Sequence, residues 1–216
     1  MTIELLNMDC MDYMRDCEDN AFDLAIVDPP YGIGYDKQQN NMANNGRISN
    51  GGKWKQYKTT DWDSNVPEDS YFAELSRVSR NQIIWGGNYY NVDLSGVIIW
   101  DKGQNGTLPQ GELAKCSLKT FKIFRMGRAD AYINNNSPKI HPTQKPVKLY
   151  EWLLANYAKS GIYADRILDT HLGSGSSAIA AHYGQFDFVG IEIDEDYYKA
   201  ACERFEKETA QLDLLA

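Results

Sequence analysis

The stretch from Arg166 to Ile193 leaves this chain few folds to choose from. Arg166-Ile167-Leu168 reads as a strand, Asp169 to Gly175 as a glycine turn, Ser176 to Tyr183 as a helix closed by Gly184, and Phe186 to Ile193 (FDFVGIEI) as a second strand. Strand, tight turn, helix and acid-ended strand make the mononucleotide-binding half of a doubly wound sheet. A turn with Gly173 and Gly175 lets a ligand approach backbone N–H groups closely and meet the positive end of a helix. Glu192 lies seventeen positions beyond Gly175, where a carboxylate can take both hydroxyls of a ribose. Together these predict a nucleoside-containing ligand; the plainer reading of the glycines alone is tight packing. No Gly-Lys-Ser or Gly-Lys-Thr phosphate loop is present, which disfavours a nucleoside triphosphate.

The remaining chain supplies more of the same architecture. Ile3 to Leu6, Phe22 to Val27 (FDLAIV), Gln82 to Trp85 and Gly96 to Trp100 read as apolar strands closing on polar turns, as in a sheet buried on both faces. A helical turn is expected through Met11, Met14 and Cys17. Pro67-Glu68-Asp69 opens a helix whose stripe is Tyr71, Phe72, Leu75 and Val78. Pro146 opens another, with Val147, Tyr150, Leu153, Leu154 and Tyr157 on one face, and a long helix runs from Asp194 to about Leu212. Ser117 to Phe124 alternates as a half-exposed strand does, and 125–140 reads as loop. The fold class expected is α/β, a doubly wound and mostly parallel sheet. At 216 residues and 43% hydrophobic content the chain fits a single domain, 1–216, with a full core.

Between these elements, residues 32–60 lose all periodicity and fill with glycine and asparagine, which predicts a long mobile loop. That loop carries Lys37, Arg47, Lys53, Trp54, Lys55, Tyr57 and Lys58, a basic and aromatic mixture suited to gripping nucleic acid. The net charge of −8 argues against such a partner only when the chain is taken whole. Residues 1–30 and 149–216 each carry −7, whereas 31–148 hold sixteen basic residues against ten acidic, or +6. Within 115–148, eight basic residues, among them Lys119, Lys122, Arg125 and Arg128, face one acid, Asp130. A positive middle between negative ends is compatible with a phosphate-binding face or with a solvated surface.

The four cysteines have no paired spacing, which favours reduced thiols over a disulfide framework, and with three scattered histidines they suggest no metal site. No run approaches the length of a membrane span and the N-terminal residues lack a signal-peptide layout, so a cytoplasmic protein is expected.

The strand FDLAIV ends in Asp28-Pro29-Pro30-Tyr31. A carboxylate, two rigid prolines and an aromatic ring at a strand's end suit a corner that holds a planar ring by its exocyclic amino group; the bland alternative is a strand-ending turn. DPPY here resembles motif IV of the amino-directed DNA methyltransferases, specifically the adenine-N6 type. LDTHLGSGSS resembles their motif I, with Thr170 and His171 standing where the family usually has Pro and Phe, and His171 is expected to pack. GIEIDEDYY resembles motif II, and HPTQKP, His141 to Pro146, resembles motif X. The order IV, X, I is the circularly permuted arrangement of the β class, and the resemblance covers nearly the whole chain.

That resemblance implies S-adenosylmethionine as cofactor, double-stranded DNA as partner and adenine N6 of a flipped-out base as methyl acceptor. Asp28, Pro29, Pro30 and Tyr31 are the implied catalytic residues: Asp28 and the Pro29 carbonyl accept from the amino hydrogens while Tyr31 stacks on the base. The implied cofactor residues are Asp9, Cys10, Asp28, Thr143, Gln144, Lys145, Asp169, Gly173, Ser174, Gly175, Ser176 and Glu192. Thr143, Gln144 and Lys145 are expected toward the cofactor's carboxylate, and Asp9 toward its adenine, although an acid after a strand also caps helices. Target recognition is expected in 103–140 with help from 32–60, a region small enough to fit a chain that acts as a homodimer. The alternatives are a cytosine-N4 enzyme, whose corner more often has Ser in place of Asp28, and a catalytically silent cofactor-binding protein.

Overall fold

The structure, a computed structural model, describes residues 1–35, 63–104, 109–127, 130–131, 139–159 and 165–210. The run LAIV forms a strand because every residue in it is apolar and both faces of the sheet are covered. Leu24 and Ile26 enter one core, and Ala25 and Val27 enter the other. The same split divides Ile83 and Trp85 from Ile84, and Ile167 from Leu168. Successive side chains point to opposite faces, so a continuous apolar run feeds two cores at once.

The strands are β1 (Ile3–Asn7), β2 (Leu24–Val27), β3 (Gln82–Trp85), β4 (Gly96–Asp101), β5 (Gly111–Cys116), β6 (Phe121–Arg125), β7 (Arg166–Asp169) and β8 (Asp187–Glu192). They form one sheet in the order β1-β8-β7-β2-β3-β5-β4-β6. All described pairings are parallel except those of β5, which runs against both β3 and β4. The expected doubly wound, mostly parallel α/β sheet is borne out. Helices α1 (Cys10–Arg15) and α2 (Asp69–Val78) cover one face. Helices α3 (Val147–Tyr157), α4 (Ser176–Gly184) and α5 (Glu195–Ala210) cover the other. None of the described helices is long and apolar enough to cross a membrane.

Strands β2 and β7 are neighbours, Ala25 opposite Leu168, but their chains leave in opposite directions. Beyond β7 the chain returns through α4 to β8; beyond β2 it returns through α2 to β3. Such a divergence opens a crevice past the carboxyl ends of the two strands, where ligands of open α/β sheets bind. Asp28 and Asp169 stand at its two sides. Segments far apart in sequence therefore end on the same sheet edge.

Two local expectations differ from the structure. Ser117 to Phe124 is not one strand. β5 ends at Cys116, Ser117 turns the chain by exchanging bonds with Gln82 (its N–H donates to the Gln82 carbonyl at 3.0 Å, its Oγ accepts from the Gln82 N–H at 2.9 Å), and β6 begins at Phe121. The alternation that suggested a half-buried strand is inverted there: Phe121 and Ile123 point outward, 70% and 43% exposed. The region 103–140, expected to hold target recognition, includes β5 and β6. Finally, Gly184 is the last residue of α4, and the left-handed residue after it is Gln185, φ 60°. The expected loop 32–60 falls largely outside the described residues, with Lys37, Arg47, Lys53, Trp54, Lys55, Tyr57 and Lys58, and Arg128 lies outside them too.

Candidate active site

Asp28 follows β2 directly and is partly buried. Its Oδ1 accepts from the Tyr31 hydroxyl at 2.6 Å, and its Oδ2 is ion-paired with Lys145 Nζ. The Tyr31 ring lies stacked on Tyr89, centroids 4.9 Å apart and planes 13° from parallel. Room for that ring comes from Gly86, at the end of β3: a Cβ there would run into Tyr31, and its φ of +71° is itself unfavourable for other residues. The turn after the prolines is held by Asp63, a carboxylate only 1% exposed that accepts from the N–H groups of Tyr31 (2.7 Å), Gly32 (3.0 Å) and Tyr35 (2.8 Å). The Tyr90 hydroxyl donates to the carbonyl oxygens of Pro29 at 2.7 Å and Pro30 at 3.0 Å.

Lys145, from HPTQKP, is buried at this corner. Its ammonium reaches Asp28, Glu112 of β5 (3.1 Å to Oε2) and the Tyr31 hydroxyl (3.3 Å). Lys102 in turn holds Glu112 Oε1 at 2.5 Å. Burial pushes the Asp28 carboxyl above the ordinary carboxylate range; the Lys145 charge pulls it back and Glu112 adds to the rise. Burial also opposes the charge on Glu112, yet Lys145 and Lys102 overcome it and hold that carboxyl down at about 2. Burial pushes the Tyr31 phenol well above its usual range, so it stays a donor.

Beside the corner is a cleft of about 330 Å³, within the range of small-molecule sites. One side is Met8, Asp9 and Cys10 from the β1–α1 turn with Glu192 and Ile193 from the end of β8; another is Thr170 and His171; Asn65 to Glu68, Ser70 and Tyr71 close it, and Pro30 connects it to the corner. Glu192 is half-buried and accepts from the N–H groups of Gly173 (2.9 Å) and Asp194 (3.0 Å). Two oxygens offer about four lone-pair directions, so acceptor capacity toward the cleft remains. Burial lifts its carboxyl above the usual range despite those bonds.

Asp9 is the N-cap of α1, accepting from Met11 N–H at 2.7 Å, and also lines the cleft. A helix cap and a place on the cleft wall therefore coexist in this residue. Cys10 lines the cleft as a thiol, pushed up to about 12 by burial and by Asp9. Gly173 and Gly175 both adopt left-handed φ, +53° and +74°, and Gly175 caps α4. Asp169 is buried beneath the turn, accepting from Ser177 Oγ at 2.6 Å and the His171 N–H at 3.0 Å; burial pushes its carboxyl up to about 7.

Several expected cofactor side chains face inward. Ser176 Oγ donates to the Lys145 carbonyl at 2.7 Å, Ser174 Oγ sits 3.1 Å from Ser176 Oγ, and the buried Arg204 donates to the Ser174 carbonyl at 2.9 Å. Gln144 Oε1 accepts from the Ile140 N–H at 2.8 Å, and Thr143 Oγ1 lies 3.0 Å from His141 Nδ1. Thr143 and Gln144 thus brace their own segment, and Lys145 ties it to Ser176 and to Asp28. His171 packs edge-on against Tyr71, whose hydroxyl meets Thr170 Oγ1 at 2.6 Å. The expectation that His171 packs agrees with this contact, although its ring also lines the cleft.

Of the basic residues, Arg125 stands at the carboxyl end of β6, on the same sheet edge as Asp28, bonded to Asp101 at 3.2 Å. Lys122 is held by Asn156 at 2.6 Å, and Lys119 precedes β6 at the opposite edge. Sequence reasoning did not single out Asp63, Tyr90, Glu112 or Lys102. Only Glu112 left a signal, an isolated acid among the apolar and basic residues of GELAKC.

The crevice of this α/β sheet thus joins the cleft, through Pro30, to the acidic corner at Asp28. The model of a DNA methylase family, N6 and N4 type, matches residues 84–203, more than half of the chain, and the chain belongs to that family. The Asp28 corner lies outside the matched stretch. Among relatives, the type II methyltransferase M2.DpnII of Streptococcus pneumoniae is 25% identical, over 94% of this chain and 90% of the relative. Among solved structures, an M1.HpyAVI–SAM complex superposes with a TM-score of 0.58 at 17% identity, covering 94% of this chain and all of the other. The PvuII DNA methyltransferase, cytosine-N4-specific, superposes with a TM-score of 0.63 at 10% identity, covering 97% and 91%.

Proposed function

We propose that this protein transfers a methyl group from S-adenosylmethionine to N6 of an adenine flipped out of double-stranded DNA. The observation that carries the reading is Asp28: a partly buried carboxylate at a strand's end, opening beside a cleft that Glu192, Asp9 and the glycine turn border. The surroundings suit that cofactor, with Glu192 on the cleft wall toward the ribose, Asp9 and Cys10 on that wall toward the adenine, and the backbone of Gly173 to Ser176, bonded to Glu192 through the Gly173 N–H but off the wall, toward the methionine part. When bound, it supplies a methyl group on a positively charged sulfur.

The chain's own work is to present the amino group. Adenine N6 is a poor nucleophile because its lone pair is delocalised into the ring. Asp28 accepts one amino hydrogen, and the Pro29 carbonyl, which has a lone pair beyond the one Tyr90 uses, accepts the other. Both bonds favour a more tetrahedral nitrogen, and Tyr31 stacks on the base, so the transfer rests on positioning and electrostatics. Arg125, on the same edge, and Lys37, Arg47, Lys53, Trp54, Lys55 and Lys58 would hold the DNA.

Cytosine N4 is the competing acceptor, and the likeness to the PvuII enzyme speaks for it. Asp28 in place of Ser speaks for adenine. Incubation with labelled S-adenosylmethionine and mixed-sequence duplex DNA is expected to yield N6-methyladenine, and Asp28→Ala to abolish transfer while cofactor binding persists. Recovery of N4-methylcytosine alone would overturn the adenine assignment; cofactor binding by the wild type without transfer would overturn the catalytic one.

A further inference from the structure

Four buried or half-buried charges alternate in sign across the corner: Lys102, Glu112, Lys145, Asp28. Three belong to different parts of the sheet edge, and Lys145 comes from the segment before α3. Lys145 has three N–H donors, and all three are spent, on Asp28, Glu112 and Tyr31. A lysine needed only to neutralise Asp28 would not require a second carboxylate, because taking another charge out of water is costly even when it is paired. Glu112 has partners on both sides. Its presence calls for a reason that concerns what happens to Asp28.

Methylation supplies one, and the argument rests on the function proposed above. The amino nitrogen gains a methyl carbon as the carbon–sulfur bond breaks, with that bond's electron pair going to sulfur. The nitrogen then carries one proton too many and must shed it. Asp28, bonded to that nitrogen's hydrogen, is the nearest base. Once Asp28 takes the proton it no longer balances Lys145, and a buried ammonium without a counter-charge is strongly disfavoured. Glu112 remains to balance it.

We propose that Glu112 is a positioning residue for methyl transfer: by pairing Lys145 independently of Asp28, it lets Asp28 act as the transient acceptor of the proton that the amino group sheds. Asp28 later releases the proton to water as product leaves. Geometry and electrostatics agree. Glu112 stays ionised between two lysines, and its charge favours proton uptake at Asp28 while Lys145 disfavours it. The other titratable groups acting around Asp28 are Tyr31, Tyr90, Tyr71 of α2 and Asp169 of β7; burial keeps the three phenols neutral, and Asp169 adds to proton uptake only where ionised.

The test has two arms. Carbon-13 carboxyl NMR follows the Asp28 titration in the free, full-length protein. Glu112→Gln, which keeps an acceptor for Lys145 but removes the charge, is expected to lower that midpoint. Lys102→Met, which removes a positive charge from the same chain, is expected to raise it. In steady-state assays, Glu112→Gln is expected to lower kcat by roughly tenfold or more and to move the acidic limb of its pH profile down. The Kd for S-adenosylmethionine should stay within about twofold, and Glu112→Asp should recover part of the rate. An Asp28 midpoint unmoved by both variants, or a rate loss that follows lost cofactor binding with an unchanged pH profile, would overturn the proposal. Absence of transfer by the wild type would instead overturn the function, while the titration would still decide whether Glu112 governs Asp28.

Discussion

Asp63 accepts three backbone N–H groups from the turn that follows the prolines, although it stands 28 to 32 residues away in sequence. A carboxylate that gathers several N–H donors in a buried site is hard to replace, since each donor left unpaired costs about 1–3 kcal/mol. Asp63→Ala is expected to lower stability by about 2–4 kcal/mol, read as a lower denaturation midpoint, and to weaken methyl transfer more than cofactor binding, because the loosened turn carries Tyr31. At this scale the sequence is legible where a residue's neighbours in the chain define its task. Asp28 stands out after an apolar strand and before two prolines, and Glu192 after another strand. Asp63 and Tyr90 do not, because what they bond to is set by folding: one more acid in a polar stretch, one more tyrosine after a strand. Lys145 was legible as part of a motif but not in its direction. Its backbone carbonyl meets Ser176 while its ammonium meets Asp28, and only the fold reveals that the two are within one residue's reach.

Among the elements, β3 shows how a strand's last residue can shape a site that another strand carries. Gly86 follows Trp85, and the absence of its side chain is what the Tyr31 ring fills. Gly86→Ala combines an unfavourable φ with a steric conflict, so Tyr31 must leave its place on Tyr89. Loss of methyl transfer by at least roughly tenfold is expected, consistent with the sensitivity of positioned groups to displacement; a crystal structure of the variant would find the Tyr31 ring moved. Buried elements were legible because an unbroken apolar run admits few readings: β2, β3, β7 and β8 all stand where the sequence puts them. The edge was not. β5 is half polar, and β6 turns Phe121 and Ile123 to solvent, so its period is right but its faces are reversed. Periodicity reports alternation and leaves open which face is covered.

For the whole molecule, three buried titratable groups near the cofactor turn pull stability in opposite directions with pH. Burial lowers His141 from 6.5 to about 3 and His171 from 6.5 to about 4, so both are neutral when folded. Their contribution is full above about pH 6.5, where folded and unfolded chains are both unprotonated, and is lost as pH falls toward 4 and 3. Asp169 acts inversely: raised from 3.8 to about 7, it contributes fully below about pH 4 and loses that contribution as pH rises through 7. The denaturation midpoint is expected to fall as pH drops from 6.5 to 4, with His171→Phe flattening the decline by an amount on the order of 1–3 kcal/mol while the glycine turn keeps its shape. The overall architecture was the most legible part of this protein. Strand, glycine turn, helix and strand commit the chain to a parallel sheet whichever motif comes first, since neighbours in the sheet need not be neighbours in sequence.

A strand that runs against its neighbours begins where they finish. β5 therefore brings its first residues, Gly111 and Glu112, to the edge where β2, β3 and β4 end, and the pairs Asp101–Gly111 and Trp100–Glu112 lock them there. Just past that lock the Lys102 N–H donates to the Gln110 carbonyl at 2.9 Å. Glu112 is thereby fixed to the lattice of the sheet. A reversed strand thus delivers a side chain to this edge from its first residues, where its neighbours can offer only their last.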